Sequence, residues 1–198
     1  AKVVERARAL APRKPNEPAV ALDPLEPVHH HTGLRYQYVH LELDSTSRLA
    51  NLTIFGPHAK SEIQYDKNHP EKWYPLRMFR ELDDALLQLR FNYPSAGLVI
   101  LRSEGDKELL LAMDQHLLAV LQSHVGCEVL LLMRRVLKRL DTTSKSFFAL
   151  VEKTSCFVGA LLELVLAADR AYMLDDPLVS VQPDKLNLGL LPMANGLS

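Results

Sequence analysis

Two short, wholly apolar runs place the strongest limit on the fold of this 198-residue chain: residues 97–101 (GLVIL) and 147–151 (FFALV). Runs of this length between turn residues are typical of strands that are buried on both faces of a parallel sheet. An amphipathic helix precedes the first run, because Phe79 and Leu82 begin a helical spacing of apolar residues behind Pro75. Helices that alternate with buried strands predict an α/β domain with crossover connections.

The other elements fit the same architecture. The sequence predicts a β-hairpin from residues 36–43 and 49–55. It also predicts three further helices at 107–123, 126–140 and 158–168, and two short strands at 171–174 and 178–181. We expect the first two of these helices to be separated by a break around Gly126. The helix at 158–168 is almost wholly apolar, and a helix of this kind must be enclosed on all sides.

The N-terminal 30 residues differ from the rest in composition. Residues 1–11 resemble the end of a helix, and five prolines between residues 12 and 30 predict a linker without regular structure. The expected organisation is therefore a linker at 1–30 and one domain at 31–198, truncated at both ends. Three adjacent histidines at 29–31 are interpreted as part of a solvated loop, and no metal site is expected there.

Charge and hydropathy exclude several classes of partner. The formal net charge is −1, so the chain lacks the basic field that nucleic-acid binding requires. No apolar run approaches the roughly 18 residues that cross a bilayer, and we expect a soluble, cytoplasmic protein. Cys127 and Cys156 stand in apolar surroundings, and we interpret both as buried, reduced thiols rather than as a disulfide or a nucleophile.

One charge stands out within the apolar helix. Glu163 is the only charged residue between Lys153 and Asp169, and burial raises the pKa of a carboxyl group. It is therefore a candidate general acid or base. The alternative is a structural ion pair with Arg170 or Lys153. Asp169, which ends the helix ahead of a strand, is interpreted as a turn residue.

Three motifs in order resemble the crotonase (enoyl-CoA hydratase/isomerase) signature. Residues 156–172 (CFVGALLELVLAADRAY) match its small-residue run followed by Glu-Leu and a later Asp. Residues 187–192 (NLGLLP) resemble its Leu-Gly-x-x-Pro turn, and 98–114 its strand and Ala-Gly-Ala-Asp-like loop. Residues 73–89 and 134–173 are most similar to the second half of the benzoyl-CoA-dihydrodiol lyase group. The resemblance implies a crotonase-like fold built from repeated β-β-α units, incomplete at both ends.

The resemblance also implies site residues. In crotonases two backbone N–H groups form an oxyanion hole for a thioester oxygen, and these positions correspond to Leu111 and Ala160. Glu163 takes the position of the first catalytic carboxylate. The second carboxylate position is occupied by Lys185, which is not a carboxylate base. No cofactor or metal is implied, since the substrate itself carries coenzyme A.

The implied function is part of a lyase that opens the ring of an oxygenated, dearomatised benzoyl-CoA in aerobic benzoate catabolism. The implied partners are an acyl-CoA substrate, an N-terminal crotonase-like half of the same polypeptide and further copies in a homo-oligomer. Because Lys185 and the 111–113 segment depart from the pattern, this half is expected to be non-catalytic. Two alternatives stay open: a non-catalytic module for acyl-CoA binding or assembly, and a generic enoyl-CoA hydratase/isomerase.

Overall fold

A single sheet of seven strands forms the framework of the computed structural model, which describes residues 2–10 and 20–192. The strands lie side by side in chain order, antiparallel from β1 to β4 and parallel from β4 to β7. Their bounds are β1 Val28–His30, β2 Gly33–Arg35, β3 Val39–Asp44, β4 Leu49–Phe55, β5 Leu98–Glu104, β6 Ser146–Val151 and β7 Arg170–Met173. This sheet confirms the predicted α/β class.

The α-helices are α1 Lys2–Leu10, α2 Lys60–Ile63, α3 Tyr74–Phe91, α4 Lys107–Val120, α5 His124–Thr142 and α6 Leu162–Leu166, with short 3-10 turns at Pro70–Lys72, Gly159–Leu161 and Lys185–Asn187. Helix α1 precedes the first strand, and the other α-helices lie in the connections between strands. None of the helices within residues 2–10 and 20–192 has the length and apolar composition that a bilayer crossing requires.

The predicted hairpin is confirmed as β3 and β4, whose register pairs Val39 with Ile54 and Asp44 with Leu49. Alternate residues point into the core, as period-two burial requires. The Asp44 carboxylate accepts hydrogen bonds from the backbone of Thr46 and Ser47 and stabilises the turn between the strands.

Strands β5 and β6 are confirmed, but their burial differs from the prediction. Val99 and Leu101 of β5 are fully buried, whereas the alternating residues Ile100 and Arg102 are only half-buried. One face of the parallel part of the sheet therefore lies in the core and the other remains partly accessible. The sequence of β5 does not distinguish the two faces of the sheet, because Ile100, on the less buried face, is as apolar as Val99 and Leu101 on the buried face.

Helix α3 is confirmed, with Pro75 in its first turn and its end at Phe91 before Tyr93-Pro94. The two helices predicted at 107–123 and 126–140 are confirmed as α4 and α5, but the break between them lies at 121–123 and not around Gly126. The Ser123 hydroxyl accepts a hydrogen bond from the Gly126 amide as the N-cap of α5. Gly126 belongs to the first turn, where a Cβ atom would lie 2.2 Å from the Val120 carbonyl oxygen.

Regular structure begins earlier than expected at the N-terminus. Val28–His30 form an edge strand that pairs antiparallel with β2, so the linker prediction is wrong for these three residues. The side chains of His29 and His30 are exposed on that strand rather than in a loop. Much of the predicted proline-rich linker, residues 11–19, lies outside the described residues, and the division into 1–30 and 31–198 stays a prediction.

Further corrections concern the C-terminal part and one cysteine. The predicted helix at 158–168 is a 3-10 turn followed by the five residues of α6; residues 155–164 are buried, but Leu166 is 55% exposed. Residues 178–181 are not a strand. Cys156 is buried as predicted, whereas Cys127 is exposed because it lies on the outer side of α5, opposite the buried Val129 and Met133.

Candidate functional site

The segment that follows β6 forms a buried turn at Gly159–Leu161. Gly159 has φ +52°, a backbone conformation that favours glycine, and its amide donates to the Gln182 carbonyl oxygen at 2.8 Å. A Cβ atom at this position would lie 1.8 Å from Asp114 Oδ2. Glycine therefore lets a carboxyl group approach the turn backbone closely.

That carboxyl group comes from the middle of α4. Asp114 Oδ2 accepts a hydrogen bond of 2.7 Å from the Ala160 amide, and the residue is only 1% exposed. Burial raises the pKa of Asp114 to about 8, against the hydrogen bond from Ala160, and the negative charge of Asp184 raises it further. The Ala160 amide is thus satisfied by a side chain of the same chain.

The carbonyl of the same peptide group is held from the other side by Asn187. Its Nδ2 donates to the Gly159 oxygen at 3.0 Å and to Glu163 Oε1 at 2.6 Å. Asp184 and Asn187 form a reciprocal capping box around the turn Lys185–Asn187, in which the Asp184 amide donates to Asn187 Oδ1 at 2.7 Å. Two side chains distant in sequence therefore fix the orientation of the Gly159–Ala160 peptide.

Glu163 lies in the first turn of α6 and is 6% exposed. Burial raises its pKa, and the hydrogen bond from Asn187 opposes that shift. The alternative of an ion pair with Lys153 or Arg170 is wrong: Lys153 pairs with Asp176 at 2.6 Å, and within the described residues no cation lies within ion-pair distance of Glu163.

Leu111 does not lie in a loop with a free amide, as the resemblance implied. Residues 111–113 form no loop; they lie inside α4, and the Leu111 amide is directed along the helix toward the Lys107 carbonyl, as α-helical geometry requires. The Ala160 amide is engaged by Asp114. Neither of the two amides is free for a thioester oxygen in this conformation.

Lys185 and Asp169 lie at the edges of this region. Lys185 is exposed at the start of its 3-10 turn. Asp169 Oδ2 accepts the Phe147 amide at 2.7 Å between α6 and β7, in agreement with the prediction of a turn residue. The structure thus places Ala160 and Glu163 at the buried turn, with the Leu111 side chain beside Gly159 and Lys185 exposed to solvent.

Sequence reasoning assigned no role to Asp114 or Asn187. A signal for Asp114 exists, because it is the one charged residue among the buried residues Leu110, Met113 and Leu117 of α4. For Asn187 the signal is the spacing of a capping box with Asp184 three residues earlier.

Comparison with solved structures identifies the fold. The fold matches an enoyl-CoA hydratase from Geobacillus kaustophilus HTA426 with a TM-score of 0.50 and 19% identity, covering 78% of this chain and 52% of that one. An enoyl-CoA hydratase/isomerase from Xanthobacter autotrophicus Py2 matches with a TM-score of 0.51 and 16% identity over 78% of this chain and 52% of that one. The chain has the crotonase fold.

The sequence relationship is more specific. No family model matches the chain. It is, however, 40% identical over 200 residues to benzoyl-CoA-dihydrodiol lyase from Aromatoleum evansii, a match that covers 98% of this chain and 36% of that protein. The chain is therefore a crotonase-fold relative of benzoyl-CoA-dihydrodiol lyase that spans about a third of that protein's length.

Proposed function

We propose that this chain is one part of a lyase that opens the ring of an oxygenated, dearomatised benzoyl-CoA in aerobic benzoate catabolism. The observation that carries the proposal is the 40% identity to benzoyl-CoA-dihydrodiol lyase across 98% of the chain. The crotonase fold is consistent with it, since two solved structures that share this fold are an enoyl-CoA hydratase and an enoyl-CoA hydratase/isomerase.

Within this enzyme, we assign the chain a non-catalytic role. An oxyanion hole needs amide donors that are free before the substrate oxygen arrives. Here the Ala160 amide donates to Asp114, and the Leu111 position lies within a regular helix. The working carboxylates would then belong to an N-terminal crotonase-like half of the same polypeptide, against which this chain would serve as a structural or substrate-capping part.

The carboxyl group of Glu163 fits this role better than that of a base. A general base must reach the proton that it abstracts. Glu163 Oε1 instead accepts from Asn187, which also holds the Gly159 carbonyl oxygen. Glu163 would therefore stabilise the turn, and Lys185 would leave the second carboxylate position without a base. Acyl-CoA as substrate, a homo-oligomer and a cytoplasmic location remain part of the proposal.

The proposal is tested with the full-length polypeptide that carries this chain. It is incubated with benzoyl-CoA dihydrodiol and, separately, with crotonyl-CoA, and both thioesters are followed by liquid chromatography and mass spectrometry. We expect the dihydrodiol thioester to be consumed with the thioester bond intact and crotonyl-CoA to remain unchanged. Hydration of crotonyl-CoA that disappears in Glu163→Gln would instead support an ordinary enoyl-CoA hydratase.

A second candidate is a non-catalytic crotonase-fold module for acyl-CoA binding or assembly. The contact between Asp114 and Ala160 favours it, because this hydrogen bond occupies the Ala160 amide, which is then not available to polarise a thioester carbonyl. The two candidates separate on the whole polypeptide: a lyase turns over the dihydrodiol thioester, whereas a binding or assembly module leaves both thioesters unchanged.

A further inference from the structure

Among residues 2–10 and 20–192, Asp114 is a buried carboxyl group with one hydrogen-bond donor and no compensating cation. Oδ2 accepts the Ala160 amide, whereas Oδ1 is buried and has no hydrogen-bond partner within the described residues. No lysine, arginine or histidine of that part of the chain forms an ion pair with it. An ionised carboxylate in such a place loses its hydration without replacement, which costs several kcal/mol.

The titratable groups around Asp114 do not supply a positive charge. Asp184, at the start of the turn Lys185–Asn187, is itself acidic, and its Oδ2 is buried without a partner in the described part of the chain. Tyr74, at the start of α3, is fully buried, and burial raises its pKa well above the usual value, so it is neutral. Glu163 is linked to the Gly159–Ala160 peptide group through Asn187, which donates to both Glu163 Oε1 and the Gly159 oxygen. A proton on Asp114 relieves the electrostatic cost at this position.

We propose that Asp114 is a proton-dependent lock: as a neutral acid it holds α4 against the turn Gly159–Leu161. The ionised carboxylate accepts the Ala160 amide more strongly, but this single hydrogen bond does not compensate for its lost hydration, so ionisation favours an open state in which the carboxylate reaches water. The contact is close because Gly159 has no Cβ atom that would displace Oδ2. When it loosens, the Ala160 amide loses its partner. The peptide group is then held by Asn187 alone, and the turn gains freedom where it leads into α6.

The direction of the pH response follows from burial. Because the pKa of Asp114 is raised in the folded state, the lock is complete below the ordinary range of an aspartate and is lost as the pH rises through about 8. None of its contacts involves a substrate. The lock can therefore be tested whether or not the protein is a lyase, and the ring-opening assay tests that activity separately.

The experiment is hydrogen–deuterium exchange of the peptide covering residues 156–164 in the full-length protein between pH 6 and pH 9.5. After correction for the intrinsic pH dependence of exchange, we expect protection to fall as the pH rises, by up to about tenfold per pH unit, in a transition that levels off above about pH 8. In Asp114→Asn the amide oxygen still accepts from Ala160 and cannot ionise, so protection should stay constant. In Asp184→Asn, loss of the neighbouring negative charge should move the transition to lower pH.

Asp175→Asn, at an exposed aspartate beyond β7, is the matched control and should keep the wild-type profile. Constant protection of the wild type across this range would overturn the proposal. The same transition in Asp114→Asn would overturn it as well, because the response would then come from another group. If Asp114→Asn does not fold, Asp184→Asn still tests the assignment, because an unchanged transition in that variant would contradict the role of Asp114.

Discussion

The amide of Ala160 donates to the carboxyl group of Asp114 over 2.7 Å, across 46 residues of sequence. This hydrogen bond joins the middle of α4 to the turn that follows β6. The Ala160 amide, which the resemblance assigned to an oxyanion hole, is therefore hydrogen-bonded within the protein and not free for a ligand. The contribution of this region to stability can be tested by substitutions at Gly159 and Asn187.

Gly159→Ala should be strongly destabilising. The new Cβ atom would lie 1.8 Å from Asp114 Oδ2, and alanine is strained at φ +52°. We expect the free energy of unfolding to fall by about 3 kcal/mol or more, measured by urea denaturation. Gly97→Ala is the matched control, since apart from its two chain neighbours no atom of the described residues lies within 4 Å of the place that its Cβ atom would take; an equal loss there would contradict the steric explanation.

Asn187→Ala should destabilise the protein in a pH-dependent way. The variant removes the donor to Glu163 Oε1 and leaves a buried acceptor unpaired, at a cost of about 2 kcal/mol. Asn187 opposes the rise in the Glu163 pKa, so its removal raises that pKa further. The loss should therefore be smaller at pH 4, where only the bonds to Gly159 and Asp184 count, and larger at pH 7, as measured by thermal unfolding. Asn68→Ala, at an exposed asparagine, should show no such difference.

Arg77→Met should test the buried ion pair of α3. Glu81 is fully buried and accepts Arg77 Nε and the Tyr38 amide, each at 2.7 Å. Loss of the cation leaves a buried charge with backbone amide donors alone, and we expect a loss of about 3 kcal/mol in the free energy of unfolding, measured by chemical denaturation. The control is Arg35→Met, whose pair with Glu42 is about half-exposed and should contribute less than ~1 kcal/mol. Similar losses in both variants would refute the role of burial.

Local sequence patterns predicted the elements whose formation depends on nearby residues. Pro75 and the spacing of Phe79 and Leu82 predicted α3, and the apolar runs predicted β5 and β6. Edge positions were harder. Pro24 and Pro27 suggested an irregular segment, yet β1 starts directly after Pro27, as an edge strand tolerates.

The candidate site was predicted less completely, because its contacts are long-range. Glu163 was found from the sequence as a lone charge in an apolar segment, and it is buried. Its partner Asn187 and the Asp114 contact with Ala160 depend on which turns meet in space. The periodicity of apolar residues carries no information on these long-range contacts. The resemblance supplied positions for two amides, but not the helix in which Leu111 lies.

The most direct test of the proposed division of labour compares Glu163→Gln with the wild type in the full-length polypeptide, with benzoyl-CoA dihydrodiol as substrate. Glutamine can keep the hydrogen bond to Asn187, so the fold should persist. The proposal predicts ring opening by both proteins, with kcat/KM within about threefold of each other. Absence of ring opening in the wild type, or a loss of about a hundredfold or more in a folded Glu163→Gln variant, would contradict it.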